Sequence, residues 1–143
     1  MIGVDTNILI YAHRAECPQH KKSFRYLKNL SEGTKPWVIA WPCLYEFLRV
    51  VTHPRVFSPP TPLATALSEI ENLCASPTLI LISETERHLP LLSDMALGSQ
   101  VDGNLMFDTH IATLLLEHGV SEIATADNDF KRFKGLTIVN PVA

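Results

Sequence analysis

Ile2-Gly3-Val4-Asp5-Thr6-Asn7-Ile8-Leu9 opens on a strand-length apolar run, closes it with a carboxylate and passes directly into helical spacing. The same alternation recurs along the chain. Trp37 to Trp41, Thr78 to Ile82, Glu122 to Thr125 and Leu136 to Val139 are further short apolar runs, so with Ile2 to Asp5 the spacing predicts five strands. Helices are expected over Thr6 to Ala12, Gln19 to Leu30, Pro42 to Thr52, Leu63 to Cys74, Thr85 to Leu97 and Asn104 to His118. Strand-length runs alternating with longer amphipathic segments predict an α/β fold. The runs lack polar alternation, which fits strands covered on both faces, as in a parallel sheet. Pro42 stands where a first-turn proline is tolerated, and Gly119 is placed to end the last long helix. Pro54, Pro59, Pro60 and Pro62 make the segment from His53 to Pro62 a stiff exposed connector.

The chain has 143 residues, 46% hydrophobic and 19% charged. That is one domain's length, residues 1–143, with enough apolar material for a core and too little charge for a disordered chain. The net charge of -3 argues against a protein held to nucleic acid by overall positive charge. Three cysteines, Cys17, Cys43 and Cys74, suggest neither a disulfide framework nor a thiolate zinc site, and read as a reducing, cytoplasmic setting. Met1 to Ile10 has no basic segment of the kind that opens a signal peptide. No apolar stretch approaches the roughly 20 residues of a membrane span, so a soluble protein with no membrane association is expected.

The carboxylates carry the chemistry. Asp5 ends the first strand, where it can cap the next helix or face the crevice at the carboxyl edge of a parallel sheet. Asp127 repeats the pattern just beyond the fourth strand, and Asp129 two residues later suits the cap of a short turn at Phe130 to Phe133. Asp108 lies mid-helix on a face shared with Ile111, Ala112 and Leu115, where a carboxylate needs a proton, a partner or a metal. Glu46 sits in an apolar helix with Arg49 at i+3, so an ordinary helix ion pair competes with a place at the shared edge.

Several acids converging on one edge repel each other unless a cation intervenes, and hard divalent ions such as Mg²⁺ and Mn²⁺ prefer such oxygen ligands. No zinc arrangement competes in the sequence: His13, His20, His53, His88, His110 and His118 form no HExxH pattern and read mostly as surface residues. The six glycines form no phosphate-binding cradle.

Val4-Asp5-Thr6-Asn7-Ile8-Leu9, Glu46 in its apolar helix, Phe107-Asp108-Thr109-His110-Ile111-Ala112 followed by Glu117-His118-Gly119, and Thr125-Ala126-Asp127-Asn128-Asp129-Phe130 together resemble the successive motifs of PIN domains. The similarity is to the VapC-type toxins of toxin–antitoxin pairs and spans nearly the whole chain. The resemblance implies a three-layer fold with a five-stranded, mostly parallel sheet between helices. It implies that Asp5, Glu46, Asp108 and Asp127 form an acidic quartet around one or two Mg²⁺ or Mn²⁺ ions, with Asp129 as the alternative to Asp127 in the last motif. Asn7 and Thr125 match supporting polar positions. The implied activity is endonucleolytic hydrolysis of RNA, commonly structured RNA such as tRNA, restrained by a cognate antitoxin in a protein that is often a homodimer. Arg14, Arg49, Arg55, Lys131, Arg132 and Lys134 are the candidate RNA contacts, with an ordinary solvated surface position as the competing and, for any single one, preferred reading. A Mg²⁺-dependent phosphatase-like domain and a non-catalytic RNA- or partner-binding module are the alternatives.

Without Asp5, Glu46, Asp108 and Asp127, 11 acids stand against 12 bases. The acidic balance thus marks a candidate site and leaves a nearly neutral surface around it.

Overall fold

A computed structural model describes residues 1–143 and contains all five expected strands. They are β1 (Ile2–Val4), β2 (Trp37–Ala40), β3 (Leu79–Ile82), β4 (Glu122–Ala124) and β5 (Thr137–Val139). The sheet order is β3-β2-β1-β4-β5. Every neighbouring pair is parallel, with Gly3 opposite Val38 and Ile123, and Ala124 opposite Val139. The expected "mostly parallel" sheet is therefore wholly so.

Parallel strands need crossovers, and here helices supply them: α1 (Thr6–His13) and α2 (His20–Glu32) lead to β2, α3 (Trp41–Val51) and α4 (Leu63–Cys74) to β3. From β3 the chain returns across the sheet through α5 (His88–Gly98) and α6 (Leu105–Glu117) to β4. Right-handed crossovers then place α1–α4 on one face and α5–α6 on the other, because the direction of travel reverses after β3. That reversal makes β1 the switch point of the sheet, and the crevice lies beyond the carboxyl ends of β1 and β4.

Burial follows the sequence pattern in the middle and departs from it at the edges. Every residue of β2 is buried, as are Val4, Ile123 and Ala124 of the central strands. The edge strand β3 leaves Ile80 exposed on one side, so apolar runs do not guarantee cover on both faces. Gly3 lets α6 approach β1: a Cβ there would collide with the Leu115 side chain. Pro42 lies in the first turn of α3, and Gly119, at φ 73°, takes the left-handed conformation just past α6. The proline segment 53–62 connects α3 to α4 without helix or strand.

One boundary differs in an informative way. Helix α5 starts at His88 and not at Thr85. The Thr85 N–H donates to the Glu117 carboxylate and the Thr85 hydroxyl accepts from the Arg87 N–H at 3.2 Å, a local turn that competes with helix. No helix is long and apolar enough to cross a membrane.

Candidate metal centre

The carboxyl edge of β1 and β4 gathers the candidate acids. Asp5 caps α1, its Oδ1 accepting from the Thr6 N–H at 2.8 Å, so the capping role and the edge position hold together. Its Oδ2 accepts from the Thr125 hydroxyl at 2.7 Å and from Asn7 Nδ2 at 3.3 Å. Asn7 also donates to Thr125 Oγ1 at 3.2 Å, and its Oδ1 accepts from the Ala126 N–H at 3.3 Å. The first and last motifs are thus cross-linked by Asn7 and Thr125, which fixes the Asp5 carboxyl at the switch point.

Glu46 arrives from α3. Its Oε2 accepts from the Thr6 hydroxyl at 3.0 Å, while Oε1 lies 3.9 Å from Arg49 Nη2. At that distance the i+3 ion pair is weak, and Arg49 is exposed, so it adds little to stability. Nothing in the sequence marks Thr6 for this role: a threonine opening a helix carries no signal that its hydroxyl reaches another motif.

Asp108 lies not mid-helix, as expected, but in the first turn of α6, because the helix begins at Leu105; there it is half-buried and the helix N-terminus favours its negative charge. Carboxylate oxygens of Asp108, Asp127 and Asp129 all lie within 4.8 Å of one another. Asp5 and Glu46 stand outside this tightest group. Their charges still reach it, because burial first, and then Asp127, Asp129 and Glu46, push the Asp108 carboxyl up to about 6. Burial raises Asp5 to about 7 against the pull of its hydrogen bonds from Thr125 and Thr6, with Asp108 and Glu46 adding to the rise. The five acids therefore act as one electrostatic unit. Cys43 lies buried beneath it, its thiol pushed far up by burial and by Asp5 and Glu46.

The last motif corrects one expectation. Asp127, not Asp129, caps the short 3₁₀ turn, which runs over Asn128–Arg132, its Oδ1 accepting from the Asp129 N–H at 2.8 Å. The turn starts earlier than the sequence suggests because Phe130 and Phe133 are both buried, 5.9 Å apart between ring centroids, and draw it inward. Asp129 is left exposed with its carboxylate beside Asp108.

The basic candidates separate by position. Arg14 is engaged elsewhere, donating to Thr61 and the Pro59 carbonyl, pairing with Glu16 and lying 4.4 Å from the Phe57 ring. It holds the proline segment against α1. Arg55 is exposed on that same segment, and Lys134 lies by Leu91 and Asp94 on α5. Arg49 and Arg132 flank the acids: Arg132 opposes the rise of the Asp108 carboxyl, and Lys131 is exposed next to it. A groove of about 560 Å³ beside Glu46 is lined by Tyr45, Arg49, Phe107 and His110 among others.

The histidines are less peripheral than expected. Only His118 is exposed outright, and His88 and His110 lie beside each other near Glu84. The pairing of α5 with α6 brings them together from distant parts of the chain.

The profile of the PIN domain matches residues 2–136. The chain belongs to the PIN-domain family. This PIN domain is 34% identical over 140 residues to ribonuclease VapC37 of Mycobacterium tuberculosis, with 98% of this chain and 96% of that protein covered. It is 29% identical over 137 residues to ribonuclease VapC48 of the same species, covering 96% of this chain and 94% of the other. Its fold superposes with a TM-score of 0.71 on a chain of VapBC2 from Rickettsia felis bound to a promoter DNA fragment, at 19% identity and 98% coverage of each. VapC20 of M. tuberculosis, described as a sarcin–ricin loop cleaving toxin, superposes at 0.68, with 13% identity and 95% and 98% coverage. The sequence relatives place this PIN domain among the VapC ribonucleases, as an RNA endonuclease.

Proposed function

We propose that this chain is the toxin of a toxin–antitoxin pair, a Mg²⁺- or Mn²⁺-dependent endoribonuclease whose centre is Asp5, Glu46, Asp108 and Asp127, with Asp129 as an additional ligand. The carrying observation is the convergence of these acids at the switch point, where burial first and the neighbouring carboxylates second hold Asp5 and Asp108 far above the ordinary carboxylate range. An all-oxygen set with excess negative charge fits a hard divalent ion, which neutralises it and restores the carboxylates to their ionised form. When bound, such an ion supplies charge stabilisation to the phosphoryl group and activates water for attack.

The chain's own residues set the geometry. Asn7 and Thr125 hold Asp5 at Oδ2, and Thr6 holds Glu46 at Oε2, so each acid presents a fixed oxygen and loses little freedom on ligand binding. Glu46 Oε1 accepts no hydrogen bond and meets only the Arg49 guanidinium at 3.9 Å, so it is open to accept a proton. Arg49 and Arg132, on either side, are positioned to steer an RNA backbone to the edge. The substrate class proposed is structured RNA such as tRNA. A cognate antitoxin is the proposed protein partner, in line with the VapBC complexes among the chain's fold neighbours, and a homodimer is the proposed assembly.

The test is cleavage of a mixed RNA pool by wild type and by Asp5→Asn, with Mg²⁺ and with EDTA. Cleavage by wild type in Mg²⁺ alone is expected. Equal cleavage by both proteins, or full activity in EDTA, would overturn the proposal.

A further inference from the structure

The pairing of α5 with α6 builds a second group of metal-ligating atoms, chemically unlike the acidic edge. Ligand atoms of Glu84, His88 and His110 all lie within 4.8 Å of one another. The two imidazole rings stand 5.6 Å apart between centroids at an interplanar angle of 67°. His110 Nε2 lies 2.6 Å from Glu84 Oε1.

His88 is oriented from beneath. Its Nδ1 lies 2.6 Å from Oε1 of Glu117, whose side chain is wholly buried. The other oxygen of that carboxylate, Oε2, accepts from the Thr85 N–H, so Glu117 is held in place beneath His88. With Nδ1 of His88 directed at this carboxylate oxygen as donor, the tautomer that binds a metal carries its lone pair on Nε2. This is the arrangement by which a buried carboxylate fixes the tautomer of a metal-binding histidine.

We propose that Glu84, His88 and His110 form a second metal site, for a borderline-soft divalent ion of the zinc class, with Glu117 as the residue that positions His88. Two imidazoles and one carboxylate suit such an ion, whereas Mg²⁺ prefers the all-oxygen set at the sheet edge. Tetrahedral ligands at about 2.1 Å from zinc are about 3.4 Å apart. Glu84 and His110, with side chains 48% and 35% exposed, have room to open from their hydrogen bond to that spacing. Bound there, the ion ties the end of β3, the first turn of α5 and the middle of α6. His110 is two residues past Asp108 and lines the groove beside Glu46, so occupancy anchors the helix that carries Asp108. The site stands on its own geometry and does not depend on the ribonuclease reading.

Isothermal titration with ZnCl₂ alone, in chelator-free buffer containing 10 mM Mg²⁺ to fill oxygen-only sites, tests the assignment. Wild type is expected to bind one Zn²⁺, and His88→Gln and His110→Gln to bind it at least 100-fold more weakly. Glu117→Gln should lose about 10- to 100-fold in affinity, as second-shell changes do. Asp5→Asn should bind as wild type does. Because a variant could lose its fold, each is checked by circular dichroism, and Co²⁺ added to wild type provides a reading free of substitutions, with a visible absorption band of a nitrogen–oxygen tetrahedral site expected. No Zn²⁺ uptake by wild type would overturn the proposal. So would wild-type affinity in a folded His88→Gln/His110→Gln double variant, or loss of Zn²⁺ in Asp5→Asn with the histidines intact. Mg²⁺-dependent RNA cleavage is scored separately, so failure here leaves the ribonuclease reading untouched.

Discussion

Replacing Asp5 by Asn should change how the metal-free protein's stability depends on pH. Asp5 is 5% exposed, and burial pushes its carboxyl up to about 7 in the folded protein from an ordinary value of 3.8. The folded state therefore keeps a proton through an interval in which the unfolded chain has lost it. The resulting stability is present at low pH and is lost as pH rises through 7. A pKa difference of about 3 corresponds to a ceiling of about 4 kcal/mol. Between pH 5.5 and 8, roughly half of that, about 2 kcal/mol, is lost. At about 3 °C per kcal/mol for a domain of this size, the Tm of wild type in EDTA should fall by about 6 °C relative to Asp5→Asn over this range. His13 is displaced the other way, chiefly by burial, but it is common to both proteins and cancels in the comparison. Any fixed cost of placing an amide opposite Asn7 and Thr125 also cancels, since it does not vary with pH. Thermal unfolding in EDTA at a series of pH values provides the comparison. Parallel Tm curves for the two proteins would refute the reasoning that Asp5 is a strained, protonated acid in the metal-free site.

Three further outcomes follow from the same geometry. Asp108→Asn should keep or raise the Tm in EDTA, since it removes a charge facing Asp127, Asp129 and Glu46, yet gain less Tm than wild type on adding Mg²⁺. Thr6→Val removes the hydroxyl that holds Glu46, and should lower RNA cleavage by roughly 10-fold, on the order of 1 kcal/mol for one hydrogen bond to a charged group, with the far-ultraviolet spectrum unchanged. Gly3→Ala should destabilise by about 1–3 kcal/mol in urea unfolding, because its methyl meets Leu115 where α6 packs on β1.

The fold was legible because its signal is local. Five apolar runs of strand length, each followed by helix or turn, could be read without knowing which strands pair, and the parallel arrangement followed from the absence of polar alternation. Asp5, Asp108 and Asp127 could be picked out for the same reason: each breaks an apolar context at a strand end or on a helix stripe. The connections between them could not. Thr6 to Glu46 spans 40 positions and Thr125 to Asp5 spans 120, and no local pattern distinguishes those threonines from ordinary ones. The exchange of capping roles between Asp127 and Asp129 turned on how far Phe130 is pulled into the core, which is a tertiary effect. The Glu84, His88 and His110 group lies furthest from sequence reading, since it exists only through the pairing of α5 and α6, and the usual zinc spacings do not contain it.

The central claim, that the acids at the carboxyl edge of β1 and β4 are a metal-dependent RNA-cleaving centre, is tested most directly by single-turnover RNA cleavage by wild type and Asp108→Asn across a Mg²⁺ titration. The account predicts cleavage by wild type that rises with Mg²⁺ and saturates, and at least a 100-fold lower rate for a folded Asp108→Asn at every concentration. Matching rates for the two proteins, or cleavage independent of Mg²⁺, would contradict it.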